Sequence, residues 1–283
     1  MKYQLALSLA ALVLSGGFSG AQIQFGPLVS RPGESVRMVS HSETPGGTTE
    51  RTLDGRTTRG TLSITRDRDL VWTFRPLGAD GTRRGMVKVN QLTTATKTGF
   101  GGKEDTVNDP SPLTGKLFSM TKAPAGDWKF ELDGSVPLSR VRDEIEEMTH
   151  YLKREWYPTK PVKLGDSWEF DPQWVKTIIQ RDLKNAKTIG TMRLKQVRRS
   201  QDRQVAVIEV NIRSTGGDFK ADGTESAAAI DLAGEMSVNL TTMLDETLEL
   251  KGKLVSSTGT ATSSTKVTLP VNLRVTKTFV SDP

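Results

Sequence analysis

The sequence predicts a mainly β protein: a curved antiparallel sheet or open β-barrel, continuous or divided into two similar halves, with one or two helices packed on it. Three observations carry this. Apolar and polar residues alternate with a period of two over most of the chain, as where Leu62 and Ile64 stand between Thr61, Ser63 and Thr65, the pattern of a strand with one buried face. Asp54-Gly55 and Asp80-Gly81 interrupt the alternation, and Asp-Gly readily takes the positive φ that tight hairpins need. Helical spacing of apolar residues is confined to the middle of the chain.

Residues 1–21 read as a cleavable export signal. Lys2 supplies the positive start, Leu5 to Leu14 a short apolar core, and Ser19-Gly20-Ala21 a small-residue cleavage site. That core is too short for a membrane-spanning helix, which needs about 20 residues. No later apolar run approaches that length, so the chain from Gln22 is expected in the periplasm, envelope or exterior, with no membrane-spanning segment once the signal is removed. With no cysteine, it has neither a disulfide nor a cysteine-linked lipid anchor.

From 22 to 136 the pattern is that of a β-rich half. Residues 22–35 look irregular, with Gly26-Pro27 and Pro32-Gly33 as punctuation. Strands are expected around Leu62–Ile64, Val71–Phe74 and Met86–Val89. Residues 99–116, rich in Gly, Pro, Asp and Asn, read as a mobile loop over an opening. Residues 137–157 read as a helix. Val141, Ile145, Met148, Leu152 and Trp156 form one stripe, Pro137 suits the first turn, early acids and later bases match the helix dipole, and Pro158 ends it. Residues 158–283 form a second β-rich half, in one domain with the first or apart from it. It opens with a second helix from Asp171-Pro172 through Leu183. Strands follow at Met192–Leu194, Ala206–Ile212, Ile230–Leu232, Met236–Leu240, Leu248–Leu254 and Val267–Val275. Pro270 places the last at an edge. Ala79-Asp80-Gly81-Thr82 recurs at Ala221-Asp222-Gly223-Thr224, a four-residue hint of duplication.

Charge gives the clearest candidate surface. Lys and Arg number 39 against 33 Asp and Glu, a net +6, which favours anionic partners. Arg193, Lys195, Arg198, Arg199 and Arg203 cluster at one expected hairpin and are the candidate anion- or partner-binding residues. The alternative is a solvated hairpin surface, the commonest fate of a charge run. A second basic stretch runs from Arg51 to Lys88 and includes Arg66 and Arg68. The basic turns lack interleaved aromatics for base stacking, and with the export signal this argues against nucleic-acid recognition.

No catalytic, cofactor or metal constellation emerges. The chain has two histidines, His41 and His150. Ser40-His41-Ser42-Glu43 reads as a loop and is not a triad, whose members converge through the fold. Asp67 and Asp69 have the spacing that opens some calcium loops, without the later ligands. Glu144, Glu146 and Glu147 read as a solvated first helical turn.

One phrase is more specific. Lys160-Pro161-Val162-Lys163-Leu164-Gly165-Asp166-Ser167-Trp168 suits a tight turn, with Gly165 at positive φ and Asp166 bonding its own backbone, before Trp168 enters a core. This "KPVKxGDxW" phrase resembles one in uncharacterised bacterial envelope proteins that bear signal peptides. The stretch Leu244 to Leu254 also resembles their closing hairpins. The resemblance implies long antiparallel strands and few helices, and it brings no catalytic residues.

Three functions fit. The first is a non-enzymatic envelope binding or structural protein, a β cup holding a lipidic or apolar ligand. The second is an interaction protein binding an anionic envelope polymer or a protein partner through basic hairpins. The third is a cell-wall enzyme working with carboxylates.

Overall fold

A computed structural model describes residues 22–29, 34–132, 142, 145, 148–149, 156–169, 185, 187–200, 203–219, 223–260 and 262–281. The strands are β1 (Glu34–Glu43), β2 (Gly47–Leu53), β3 (Arg56–Phe74), β4 (Arg83–Phe100), β5 (Lys103–Pro110), β6 (Leu117–Lys122) and β7 (Trp128–Leu132). After them come β8 (Ser167–Glu169), β9 (Lys187–Ser200), β10 (Arg203–Phe219), β11 (Glu225–Asn239), β12 (Leu244–Gly259) and β13 (Ser263–Ser281). They form one antiparallel sheet in the order β7-β6-β4-β3-β1-β13-β12-β11-β10-β9-β8, with β2 filling between β13 and β3 and β5 extending β4. It is not a closed barrel. The chain-early and chain-late strands are joined at one seam, where β1 pairs with β13 from Glu34↔Ser281 to Glu43↔Asn272.

One face of this sheet is the core. Val36 and Met38 of β1 lie level with Trp72 and Leu70 of β3, and Met192 and Leu194 of β9 with Val210 and Ile208 of β10; all eight are buried. Leu232, Met236 and Val238 continue the face on β11, Leu248 and Leu250 on β12, and Val275 on β13. Each large side chain fully buried there stabilises the fold by roughly 1.5–3 kcal/mol. Phe25, Leu113, Met148, Trp156 and Val162 close over it from outside the strands. The other face is ruled by charge, with cross-strand pairs Arg37–Asp69, Arg193–Glu209, Lys195–Glu235, Arg213–Asp231 and Arg274–Glu249.

Three bulges re-aim side chains. In β4, Asn90 is passed over between Asp69↔Gln91 and Leu70↔Val89. In β9, Lys195 is passed over between Val207↔Gln196 and Ile208↔Leu194. In β12, Glu246 is passed over between Ser237↔Thr247 and Val238↔Asp245. Uninterrupted alternation from Leu250 and Leu248 would turn Glu246 inward. The bulge turns Asp245 inward instead.

The structure amends several expectations. Residues 103–110 of the expected mobile loop form β5, and Gly101-Gly102, at φ 58° and 79°, make a tight hairpin turn; paired glycines permit that geometry at no steric cost. The strand with Pro270 is central, not an edge. Its proline faces the break between β1 and β2: on that side β13 is in register with β1 only as far as Asn272 and with β2 from Thr268, so no ladder partner is lost. The Ser40–Glu43 loop is part of β1. Expected separate strands at 230–232 and 236–240 are one strand, β11. The expected Asp54-Gly55 turn joins β2 to β3, with Leu53 opposite Arg56. Of the helix expected over 137–157, Arg142, Ile145, Met148 and Thr149 are described and have helical backbone, whereas Trp156 and Tyr157 are described and form a turn and a bend, not helix; the other residues of that span lie outside the described residues. The segment from Asp171 through Leu183 also lies outside them, as do residues 1–21. Among the described residues no helix is long and apolar enough to cross a membrane.

Close backbone approach fixes two glycines on the inner face. A Cβ at Gly234 would stand 1.8 Å from the Glu249 carbonyl oxygen, and one at Gly252 1.9 Å from that of Asp231. Gly252→Val is therefore expected to destabilise the fold by about 1–3 kcal/mol through overpacking. Urea unfolding checks this, and an unchanged midpoint would mean the strands do not approach as closely as described.

Candidate functional site

The inner face is mainly apolar, but it buries Arg68 and Ser40 toward one side and an ion pair at its centre. There Lys277 of β13, 4 % exposed, is ion-paired with the Asp245 carboxylate that the β12 bulge brings in. The Lys277 ammonium lies 5.7 Å from the centre of the Trp72 ring and 6.0 Å from that of Trp156, within reach of a cation–π attraction. A small cavity of about 10 Å³ adjoins the pair, lined by Trp156, Met192, Val210, Met236, Leu248 and Val275 among others. That is room for about one water.

An aromatic group closes this end. Phe25 stacks on Tyr157 with ring centres 4.8 Å apart and lies 6.0 Å from Trp168. The segment before β1 is tied in by Ile23 and Val162, which exchange backbone hydrogen bonds of 2.8 and 2.9 Å. The Gly165-Asp166-Trp168 phrase is part of this closure. Gly165 has φ 90°, and its N–H donates to the Leu194 carbonyl at 2.8 Å. The Lys163 N–H donates to the Asp166 carboxylate at 2.8 Å. Trp168 is half-buried, and its Nε1–H donates to the Trp156 carbonyl at 2.9 Å, so the turn helps hold Trp156 over the cavity.

The five basic candidates are dispersed. Arg193 donates to Glu209 at 3.0 and 2.5 Å, Lys195 to Glu235 at 2.5 Å, and Arg203 to Glu246 at 2.9 Å. Arg198 donates to the Gln196 side chain at 3.0 Å. Arg199 is exposed near the end of β9. Arg193 holds the Glu209 carboxyl below the usual carboxylate range by hydrogen bonding. The linear cluster is thus largely a ladder of cross-strand pairs. Its acids come from β10, β11 and β12, a neighbourhood that sequence order does not reveal.

His41 sits on the outer face of β1. Its Nδ1 is 2.7 Å from the Asp67 carboxylate, and its Nε2 is 3.8 Å from Glu43. Ser40 and Ser42 point to the opposite face by strand alternation, so no Ser–His pair forms with them. Asp67 and Asp69 lie on β3, where Asp69 accepts from Arg37 at 3.0 and 2.7 Å. Among the described residues no cluster of His, Asp and Glu could hold a metal.

Sequence reasoning missed Asp245 and Lys277. The alternation of β13 does place Lys277 in phase with Val275, Leu273 and Val271. That a lysine stands on an apolar face was the available signal.

Two outcomes follow. Lys277→Met alone leaves a buried carboxylate and is expected to cost about 3–5 kcal/mol, whereas Lys277→Met with Asp245→Leu restores or exceeds the original stability. Urea unfolding of both variants decides; equal losses would refute the burial described. For His41, the hydrogen bond to Asp67 raises the imidazole pKa above its ordinary value. Because the folded value is raised, its small contribution to stability is present at pH below about 6.5 and is lost as pH rises through the folded value. An NMR titration should put the His41 midpoint above the ordinary value, and Asp67→Asn should bring it back.

No family model matches this chain, and no curated protein matches it. Among solved structures, it was aligned to the secretin InvG of the Salmonella SPI-1 type III secretion injectisome at 8% identity. That alignment covers 88% of this chain and 65% of the secretin chain, less than two thirds of its length, with a TM-score of 0.13. The InvG secretin domain β-barrel aligns at 8% identity over 88% of this chain and 63% of its own, with a TM-score of 0.12. Scores this low carry no argument about fold or function.

Proposed function

We propose that this chain is an exported, non-enzymatic binding protein of the bacterial envelope, and that it accommodates a lipidic or other apolar ligand on the inner face of its sheet. One observation carries this reading: among the described residues, the apolar face extends past the fully buried core. Beyond the buried core it continues as half-buried Leu62, Ile64, Leu254, Val267, Val271 and Leu273, a contiguous apolar strip of the kind that marks a binding surface. A cleavable export signal over 1–21 and one or two helices packed on the sheet belong to this reading.

A drug-sized ligand needs a pocket of about 300 Å³ or more. The cavity beside Lys277 is about 10 Å³. Binding therefore requires Trp156 and Met148, which are packed into the core cluster, to swing off the face. Opening of that kind couples ligand uptake to a conformational change.

The rival readings have less support. Cross-strand pairing with acids balances Arg193, Lys195 and Arg203, three of the five basic residues of the expected anion-binding hairpin. A carboxylate enzyme needs a carboxyl pushed up in a cleft, whereas Asp69, Asp80 and Glu209 are all held down, by Arg37, the Thr82 amide and Arg193.

Native mass spectrometry of the purified protein, followed by organic extraction, is the test. The expected result is a stoichiometric apolar molecule, or its uptake from an added envelope lipid extract. A bare protein mass in both conditions would contradict the reading.

A further inference from the structure

The hairpins β2–β3 and β4–β5 end side by side, at the opposite end of β3 from buried Leu70 and Trp72. The first tip is tied to the turn between β12 and β13, because the Asp54 N–H donates to the Thr262 carbonyl at 3.0 Å. Three large apolar side chains stand out of this end in the phase of the inner face. Leu53 is 50 % exposed, Phe100 40 % and Val107 57 %. Leu53 is level with Arg56, and Phe100 with Gly60. Val107 is level with Thr96, which is itself level with half-buried Ile64. The Phe100 ring has a built seat: a Cβ on Gly60 would stand 2.6 Å from it. The glycine lets the ring settle on the sheet while a large part of it stays in the open.

Bases flank these side chains in the same phase. Arg51 is two residues before Leu53, Arg56 is level with Leu53, and Lys103 is level with Phe100. All three are exposed, and none is in an ion pair among the described residues. On the opposite face of the same tips, Arg59 is paired with Glu50 and Lys97 with Glu104. Over residues 50–59, 97–107 and 263–267, six bases stand against four acids, so this end is positive. An exposed apolar group framed by bases matches the boundary of an anionic bilayer, where apolar side chains enter the acyl region and cations meet lipid phosphates.

We propose that the tips of β2–β3 and β4–β5 dock on an anionic membrane surface, with Leu53, Phe100 and Val107 entering the head-group boundary and Arg51, Arg56 and Lys103 on the lipid phosphates. This goes beyond the ligand reading above and does not depend on it.

The test is sedimentation of the purified protein with vesicles of phosphatidylethanolamine and phosphatidylglycerol, set against vesicles of phosphatidylcholine alone. Binding to the anionic vesicles is expected to be at least about tenfold tighter and to weaken with added salt. Arg51→Gln with Lys103→Gln should weaken anionic binding about tenfold or more and leave the neutral vesicles unchanged. Phe100→Ser should weaken binding to both kinds about tenfold. Leu53→Ser, at a more exposed position, acts in the same direction and keeps the test valid where the Phe100 variant does not fold. Absence of binding to either vesicle, or equal binding to both, overturns the docking surface. So does anionic binding that the Leu53 and Phe100 variants leave intact, since the contact would then lie on another face. A dimer in sedimentation velocity that Phe100→Ser dissolves, with no vesicle binding, makes a second copy the occupant and overturns it too. None of these outcomes touches the inner-face ligand, which native mass spectrometry reads separately.

Discussion

The structure depends on the pairing of β1 with β13. Each half of the chain is a meander of strands joined mostly to sequence neighbours, and alone each would end in an unpaired edge beside its apolar face. The seam from Glu34↔Ser281 to Glu43↔Asn272 joins them into one sheet, so that a single inner face runs from β6 through β9. It brings together residues from opposite ends of the chain, a contact of the largest sequence separation available here. Such closure is slow to find and loses much loop entropy, so the inner face must supply the compensating burial. It also places Lys277 beside Met38 in register, so the seam helps bury an ion pair whose two residues sit on the neighbouring strands β12 and β13.

The placement of charge on that face follows from strand geometry. A period of two sends alternate residues to opposite faces, and a bulge changes the phase. Without the bulge at Glu246, Lys277 would meet a glutamate aimed from a different level; with it, Asp245 meets the ammonium directly. A buried ion pair adds little stability over a well-packed apolar pair. Its retention at the centre of an apolar face, beside two tryptophans and a small cavity, therefore points to a role beyond holding the sheet together.

Much of this was legible in the sequence, and the failures have identifiable causes. Alternation at Ala206–Ile212 and at Leu248–Leu250 marked β10 and β12, and Asp54-Gly55 marked its hairpin. The strands proved longer than the apolar runs because their far ends are Ser- and Thr-rich, as in Arg56–Thr61 and Ser263–Thr268. Ladder bonds to neighbours keep such stretches extended without an apolar signal. The same held for β5, whose Asp, Asn and Pro content reads as loop when taken alone. Pro270 misled because an edge and a gap between two partner strands satisfy a missing N–H equally. The basic cluster at 193–203 read as a patch because its acidic partners, Glu209, Glu235 and Glu246, are supplied by strands whose adjacency only the fold defines. The ion pair at Lys277 escaped because its partner depends on a bulge, for which the sequence carries no strong mark.

The central claim is that the inner face accepts a ligand. Methyl-labelled methionine NMR reads that face directly, since Met38, Met192 and Met236 lie buried on it. On addition of oleate those three signals are expected to shift together, while Met86, level with Thr73 rather than with the apolar row, stays in place. A shift at Met86 alone, or no shift at the three buried methionines under saturating oleate, would contradict it.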